Sequence, residues 1–391
     1  MQQQAPAKKK KKVKVTKVVD GIDTVVEIEV DDDDGVGPKW GPNDKHTLLN
    51  KRIRRVDAPL KVAGVAQYSY DMRLPGMLFG RILRSPHAHA RVVKFDASAA
   101  LKIPGVRAVA DERPPAKEGE TLPWELRYQG QPVAGLAATT SEIADDAVRA
   151  LIVEYEVLPH VVTPEDAMKA DAPQVLLKDP NVEPNSKQGD PAKVEAAMKE
   201  ADVVVEGDYR SPIIHHASLE THGMVVDYRG GNEATIYAST QGTFTIPEDS
   251  AKELGLPLGA VTAVVEHMGG GFGSKFGIGV EGRLACRLSK ETKAPVKMML
   301  TRQDEFVTAG NRSGSWQTLK AGARKDGTIV AFQAIQRKLG GLGDGSQAGQ
   351  PYIYSAEFLP RSDGDSYQRR FFAGDARSGP PAGFVCDRVF A

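Results

Sequence analysis

Cysteine is nearly absent from this 391-residue chain: Cys286 and Cys386 are the only two. Two thiols cannot build a disulfide framework, a four-cysteine zinc site or an iron–sulfur cluster. Any redox role must therefore rely on a cofactor held by something other than thiolates. Net charge is absent too, with 51 basic residues against 51 acidic ones, so nothing marks the whole chain as a nucleic-acid binder. No run of about 18 apolar residues occurs, which excludes a conventional transmembrane helix. The opening MQQQAPAKKKKK is basic, with neither an apolar stretch behind it nor a twin arginine, so no secretory signal is expected and the cytoplasm is the expected location. At about 150 residues per domain, the length predicts two or three domains. Such a chain can bury a large core without covalent staples.

The first 45 residues differ from the rest. Lys8 to Lys12 form a lysine run and Asp31 to Asp34 an aspartate run, with β-like sequence over 13–30 between them. Charge blocks of this kind predict a solvated, partly disordered tail, the alternative being a docking arm for a partner subunit or a nucleic acid. Over 57–163, MLFGRILRS, RVVKFD, VRAVAD, PVAGLAA and ALIVEYEVL are short β-branched runs punctuated by Pro and Gly. Helices are expected at 97–102 and 141–150, the second capped by Ser141. This small α+β domain is expected to pack as a separate unit, followed by Pro-rich joints around 171–184. A second domain begins near Asn185. Its expected strands are 201–209, 224–228, 234–238, 260–267 and 295–300, with helices at 247–254 and 280–292 and a hairpin turned at Asp326-Gly327. Periodicity fades beyond Gly340 and is lost from about Ser362, and no internal repeat is found.

The strongest chemical signal is GGGFGSK, residues 269–275, between an expected strand and an expected helix. Glycines let a backbone approach a ligand closely, and a helix N-terminus offers free N–H groups to oxygen or phosphate. Nucleotide motifs fail on spacing: Ser274 stands where a P-loop needs Gly, and Ser274 or Phe276 stands at the third Gly of G-x-G-x-x-G. A tight structural turn is the simpler alternative. The segment HHASLETH, 215–222, offers His216, Glu220 and His222 as zinc ligands, against histidines hydrogen-bonded to shape a buried loop. His87 and His89 read as structural. Ser239-Thr240-Gln241 ends a strand, a common place for ligand contacts, and a glutamine there can both donate and accept.

Together these segments resemble the molybdenum-binding subunit of the xanthine dehydrogenase/aldehyde oxidase family. RVDAPLKVAGVAQYSYDMRLPGMLFGRILRSPHAHARVVKFD resembles its a/b hammerhead domain. HASLETH, then ASTQGTF, then GGGFGSK resemble, in order and spacing, its first molybdopterin-binding domain, and TRQDEFVTAGNR continues in register. The resemblance implies an α+β, multidomain fold, a hammerhead domain followed by the first half of a molybdopterin-binding domain. The implied divisions are a charged, partly disordered extension at 1–47, the hammerhead domain at 48–165, a Pro-rich linker at 166–184, a partial first molybdopterin-binding domain at 185–355 and an aberrant tail at 356–391.

It further implies molybdopterin with molybdenum, the cytosine dinucleotide form included, and no protein side chain on the metal. Gln241 would hydrogen-bond a metal oxo group, and Gly270, Gly271, Phe272 and Gly273 would offer their backbone to the same region. Phe276 and Glu220 are substrate-pocket candidates. Phe276 stands where purine-hydroxylating members carry Glu, which favours an aldehyde or N-heterocycle, oxidised with oxygen from water. FAD and [2Fe–2S] clusters are expected on separate partner subunits, with a small-molecule substrate and no nucleic acid. Family members run to roughly twice this length, and their catalytic glutamate belongs to the other half, so no catalytic residue is assigned and this chain is expected to be inactive. A non-catalytic fragment or scaffold without cofactor is the alternative. The tail from about Ser362 is expected to reflect a reading-frame change, since residues 374–387, back-translated and shifted by one base, can read Ala-Met-Arg-Ala-Pro-Gly-His-Pro-Gln.

Overall fold

The computed structural model describes residues 10–19, 22–31, 47–49, 51–114, 122–174, 190–312 and 314–339, in two units divided between Val65 and Ala66. In the first unit, Val, Thr and Ile alternate with charged residues, a pattern suited to a pleated surface. It forms an antiparallel hairpin of β1 (Lys10–Val19) and β2 (Ile22–Asp31). The register sets Lys10 opposite Asp31, Lys12 opposite Glu29 and Lys14 opposite Glu27. Lysines of β1 thus stand opposite acidic residues of β2 along the ribbon. The further expectation of disorder concerns residues 1–9 and 32–46, which lie outside the described residues. The unit also holds α1 (Ala58–Val62).

The second unit runs in chain order through β3 (Leu78–Arg84), β4 (Ala90–Asp96), α2 (Ser98–Leu101), β5 (Val106–Asp111), β6 (Glu125–Leu126), β7 (Pro132–Ala138), α3 (Ser141–Arg149), β8 (Ile152–Val157) and α4 (Pro164–Ala167). It continues with α5 (Pro191–Lys199), β9 (Val203–Ser211), β10 (Ile214–His215), β11 (Gly223–Asp227), β12 (Ala234–Ala238), α6 (Thr245–Leu254), β13 (Val261–Val264), α7 (Gly279–Thr292), β14 (Val296–Met299), α8 (Arg302–Val307), β15 (Asn311–Arg312), β16 (Gly314–Ala323) and β17 (Ile329–Leu339). Helices and strands are interspersed along the chain, the mixed content expected of an α+β fold. Thr140, not Ser141, caps α3: its hydroxyl accepts from the Ile143 N–H, because residue 140 is the last one in extended conformation. Helix α5 was not expected from the sequence; Asp190 caps it, and it packs where Gly322 of β16 leaves room for Met198.

Seven strands form the main sheet in the order β13-β12-β11-β14-β3-β7-β5. Strand β14 is antiparallel to β11 on one side and parallel to β3 on the other, and all four of its residues are buried. Strands β3, β7 and β5 of the expected small domain thus complete a sheet whose other strands lie within residues 223–299, so the two segments share one sheet. Helix α7 lies on this sheet with Leu284, Ala285 and Leu288 fully buried, each leucine contributing about 1.5–3 kcal/mol. Gly135 permits the approach, since a Cβ there would stand 3.0 Å from Leu284 Cδ1. Two three-stranded sheets, β17-β16-β9 and β6-β4-β8, and the two-stranded β10-β15 complete the unit.

Strands β12 and β13 are parallel neighbours, with Tyr237 beside Val264. Both chains therefore leave the sheet at the same edge, β12 into Ser239-Thr240-Gln241 and β13 into the glycine loop. Among the described residues no helix is long and apolar enough to cross a membrane.

Candidate functional site

The loop at 269–275 takes a path that glycine makes possible. Gly270 and Gly273 have φ of 101° and 98°, and Phe272, at 51°, holds the left-handed conformation with its ring in solvent. A Cβ on Gly271 would lie 2.4 Å from Gln241 Oε1, so only glycine allows this approach. Gln241 Oε1 accepts from the N–H of Gly273 at 2.9 Å and of Lys275 at 3.4 Å, while its own backbone N–H donates to the Lys275 carbonyl at 2.7 Å. With Oε1 fixed as acceptor, Nε2 is the free end of the amide and can only donate. The N–H groups of Gly270, Gly271 and Phe272 also meet no acceptor among the described residues. Gln241 and the loop thus converge as the parallel strands required. Helix α7, however, begins only at Gly279, so the loop does not itself open the helix; the extra residues carry Phe276, whose ring packs beside Gly242.

Behind the loop lies a buried polar layer. Lys275, 2% exposed, donates from Nζ to the Glu220 carbonyl at 2.7 Å and to Ser239 Oγ at 2.6 Å. Ser239 Oγ donates on to Glu220 Oε2 at 2.9 Å, which also accepts from the Gly269 N–H at 2.8 Å. Glu220 Oε1 accepts from the Tyr70 N–H at 3.1 Å. Burial pushes the Lys275 ammonium below its usual pKa, and the charges of Glu220 and Glu305 oppose that. Glu220, expected as a substrate-pocket candidate, is buried with both oxygens accepting hydrogen bonds.

His222 forms a second buried pair. Its Nδ1 lies 3.0 Å from both Glu305 oxygens, its backbone N–H donates to Glu305 Oε2, and its Nε2 donates to the Ser274 carbonyl at 3.2 Å. Burial alone would push the Glu305 carboxyl up, but the His222 hydrogen bond and charge outweigh it and hold the group below its usual value. Hydrogen bonds thus engage His222 and Glu220 of the zinc reading, though not Nδ1 of His216, and no set of three His, Cys, Asp or Glu is placed to hold a metal among the described residues. His216 is half-buried, and burial pushes its imidazole below the usual value. His89 is structural, with its ring nitrogens 2.7 Å from the Pro159 carbonyl and 2.6 Å from Glu125 Oε1. His87 packs edge-on against Tyr155.

Sequence reasoning missed Ser239, Lys275, Glu305 and Tyr70 as parts of this layer. Lys275 carried a signal in ending the glycine run. Glu305 carried none, because its partner lies 83 residues away. Lys297, at the centre of β14, donates to the Tyr70 carbonyl and sits 4.8 Å from the Tyr70 ring; burial lowers its pKa to about 8.

Residues 176–354 match the molybdopterin cofactor-binding domain, and residues 63–159 match the a/b hammerhead domain of aldehyde oxidase and xanthine dehydrogenase. The large molybdopterin subunit of nicotinate dehydrogenase from Eubacterium barkeri is 33% identical over 298 residues, 74% of this chain and 69% of that one. The carbon monoxide dehydrogenase large chain of Afipia carboxidovorans is 30% identical over 307 residues, 72% of this chain and 38% of that one. The solved structure of reconstituted CO dehydrogenase from Oligotropha carboxidovorans superposes with a TM-score of 0.69 at 27% identity, covering 82% of this chain and 44% of that one. The chain thus spans less than half of these last two relatives.

Proposed function

Because this chain belongs to the aldehyde oxidase and xanthine dehydrogenase family of molybdopterin-binding subunits, we propose that Gln241 and residues 270–273 form one wall of the site that receives the molybdenum cofactor. The observation that carries the proposal is the set of unspent donors: Gln241 Nε2 and the N–H groups of Gly270, Gly271 and Phe272 crowd one edge with no acceptor among the described residues. Donors held in place with nothing to donate to suit an oxygen-rich ligand. The missing Cβ of Gly271 keeps that approach open. When bound, the cofactor would supply the two-electron oxidation of a substrate with oxygen from water.

The chain's own residues would bind and orient. Gln241 donates from Nε2 because Gly273 has claimed its Oε1, and His222 holds the loop's Ser274 carbonyl from behind. Phe276 places an apolar ring beside the Gln241-Gly242 turn, which supports an aldehyde or an N-heterocycle over xanthine as substrate. The carboxylates that touch the loop and its supports, Glu220 and Glu305, are buried in hydrogen bonds, so neither can serve as a base toward substrate. We therefore expect this chain alone to hold the cofactor without turnover. The relatives named as a large molybdopterin subunit and as a large chain support partner subunits carrying [2Fe–2S] centres and FAD.

Metal analysis of the purified protein, with pterin fluorescence after oxidation, tests the reading. Molybdenum and pterin in near-equal amounts are expected, and mass analysis of the released pterin separates the mononucleotide from the cytosine dinucleotide form. Protein that folds and carries neither would overturn the proposal in favour of a scaffold.

A further inference from the structure

The seven-residue loop is fixed at both ends by one small set of side chains. At its start, the Gly269 N–H donates to Glu220 Oε2. At its end, Lys275 turns back, and its Nζ reaches the Glu220 carbonyl and Ser239 Oγ. Ser239 Oγ closes the circuit by donating to Glu220 Oε2. The other carboxylate oxygen, Oε1, is held by the Tyr70 N–H, from a segment just before β3, and Lys297 holds the Tyr70 carbonyl.

We infer that Glu220, Ser239 and Lys275 form a positioning clip that sets the loop and Gln241 in their receiving geometry before the cofactor arrives. The inference rests on reading the loop as a cofactor wall. Three successive features support it. Ser239 lies two residues before Gln241 on the same strand end, so the hydroxyl that joins Lys275 to Glu220 also anchors the stretch carrying the amide. The loop has positive φ at Gly270, Phe272 and Gly273, and ordering such a backbone costs conformational entropy at each residue. A buried carboxylate and ammonium are an expensive way to close an ordinary turn, since apolar residues of similar volume often serve as well or better. The charged clip instead holds its geometry against an open, donor-rich face, which is what preorganisation needs. These three residues touch neither the unspent donors nor the space in front of them, so they are positioning residues.

The test uses the full chain with Ser239→Ala and Lys275→Met, and with Lys320→Met, in an exposed pair with Glu206, as a control. Two quantities are read: amide hydrogen exchange at Gly273 and Gln241, and molybdenum and pterin retained per chain. Neither amide bonds to a clip side chain: Gly273 donates to Gln241 Oε1 and Gln241 to the backbone carbonyl of Lys275, which the substitutions keep, so loss of a clip bond alone does not expose them. Lys275→Met is expected to speed exchange at both about tenfold or more and to lower retained cofactor by a similar factor, as removal of a charge-assisted bond would. Ser239→Ala is expected to do the same more weakly, about threefold or more, and Lys320→Met to do neither. If Lys275→Met does not fold, Ser239→Ala decides. Exchange and retention within twofold of wild type in the folded variants would overturn the clip. A wild type without cofactor would sink the cofactor reading, while the exchange data would still decide the clip.

Discussion

Charged pairs occur in two settings in this molecule. In the β1–β2 hairpin, Lys14 and Glu27 stand 4.0 Å apart with side chains 73% and 52% exposed. Behind the glycine loop, Lys275, Glu220, His222 and Glu305 are all buried. The residue types are similar, but the energetics are opposite. An exposed pair contributes about 0–1 kcal/mol and is screened by salt, so the hairpin charges chiefly favour one register over its slipped alternatives. A buried pair costs desolvation that its attraction only partly offsets, and removing one partner strands the other. Charge on the hairpin selects an alignment; charge behind the loop holds a shape.

The largest effect expected from breaking this contrast is at Glu305. Glu305→Ala strands His222, whose ring and backbone N–H both lose their acceptor. A loss of about 3–5 kcal/mol is expected by denaturant unfolding. Next is Gly271→Ala, whose new Cβ must displace the Gln241 amide. About 1–3 kcal/mol of destabilisation is expected. Cofactor retention should fall with it, and an unchanged pterin content would contradict the placement of Gln241.

Acidity sharpens the comparison further. The Glu305 carboxyl lies below its ordinary 4.5 in the folded chain, so its contribution is full above that pH and is lost as pH falls through the folded value. Lys297 behaves in the opposite sense: with its pKa lowered from 10.5 to about 8, the unfolded chain binds the extra proton between those values. Stability should therefore rise across that interval, and Lys297→Met should flatten the rise in a pH series of urea midpoints. The smallest effect is at Lys14→Ala, expected to change stability by less than about 0.5 kcal/mol and to lose even that in high salt.

What the sequence made legible follows the range of the interactions. Strand-end Gln241 beside the glycine loop could be anticipated because two neighbouring parallel strands must emerge at one edge. The β16–β17 hairpin was legible from Asp326-Gly327. The pairing of β14 with β3 was not, because Val296 meets Leu78 and nothing local to either segment encodes the other. The same reason hid Glu305 from His222. The hydrogen-bond role of Glu220 was hidden likewise, because its Oε1 accepts from Tyr70, 150 residues away.

The position of β14 also sets the order in which this protein can come into being. A ribosome delivers β3, β5 and β7 long before residues 296–299 exist, so the nascent chain must carry β3 with one edge unpaired through the synthesis of everything between. An open strand edge is a template for pairing with another chain, and long-range parallel pairing is slow to form. The interval between emergence of Arg84 and of Met299 is thus the period in which this chain is most exposed to misassociation. A stall or truncation before Met299 should yield aggregates, not a folded amino-terminal piece.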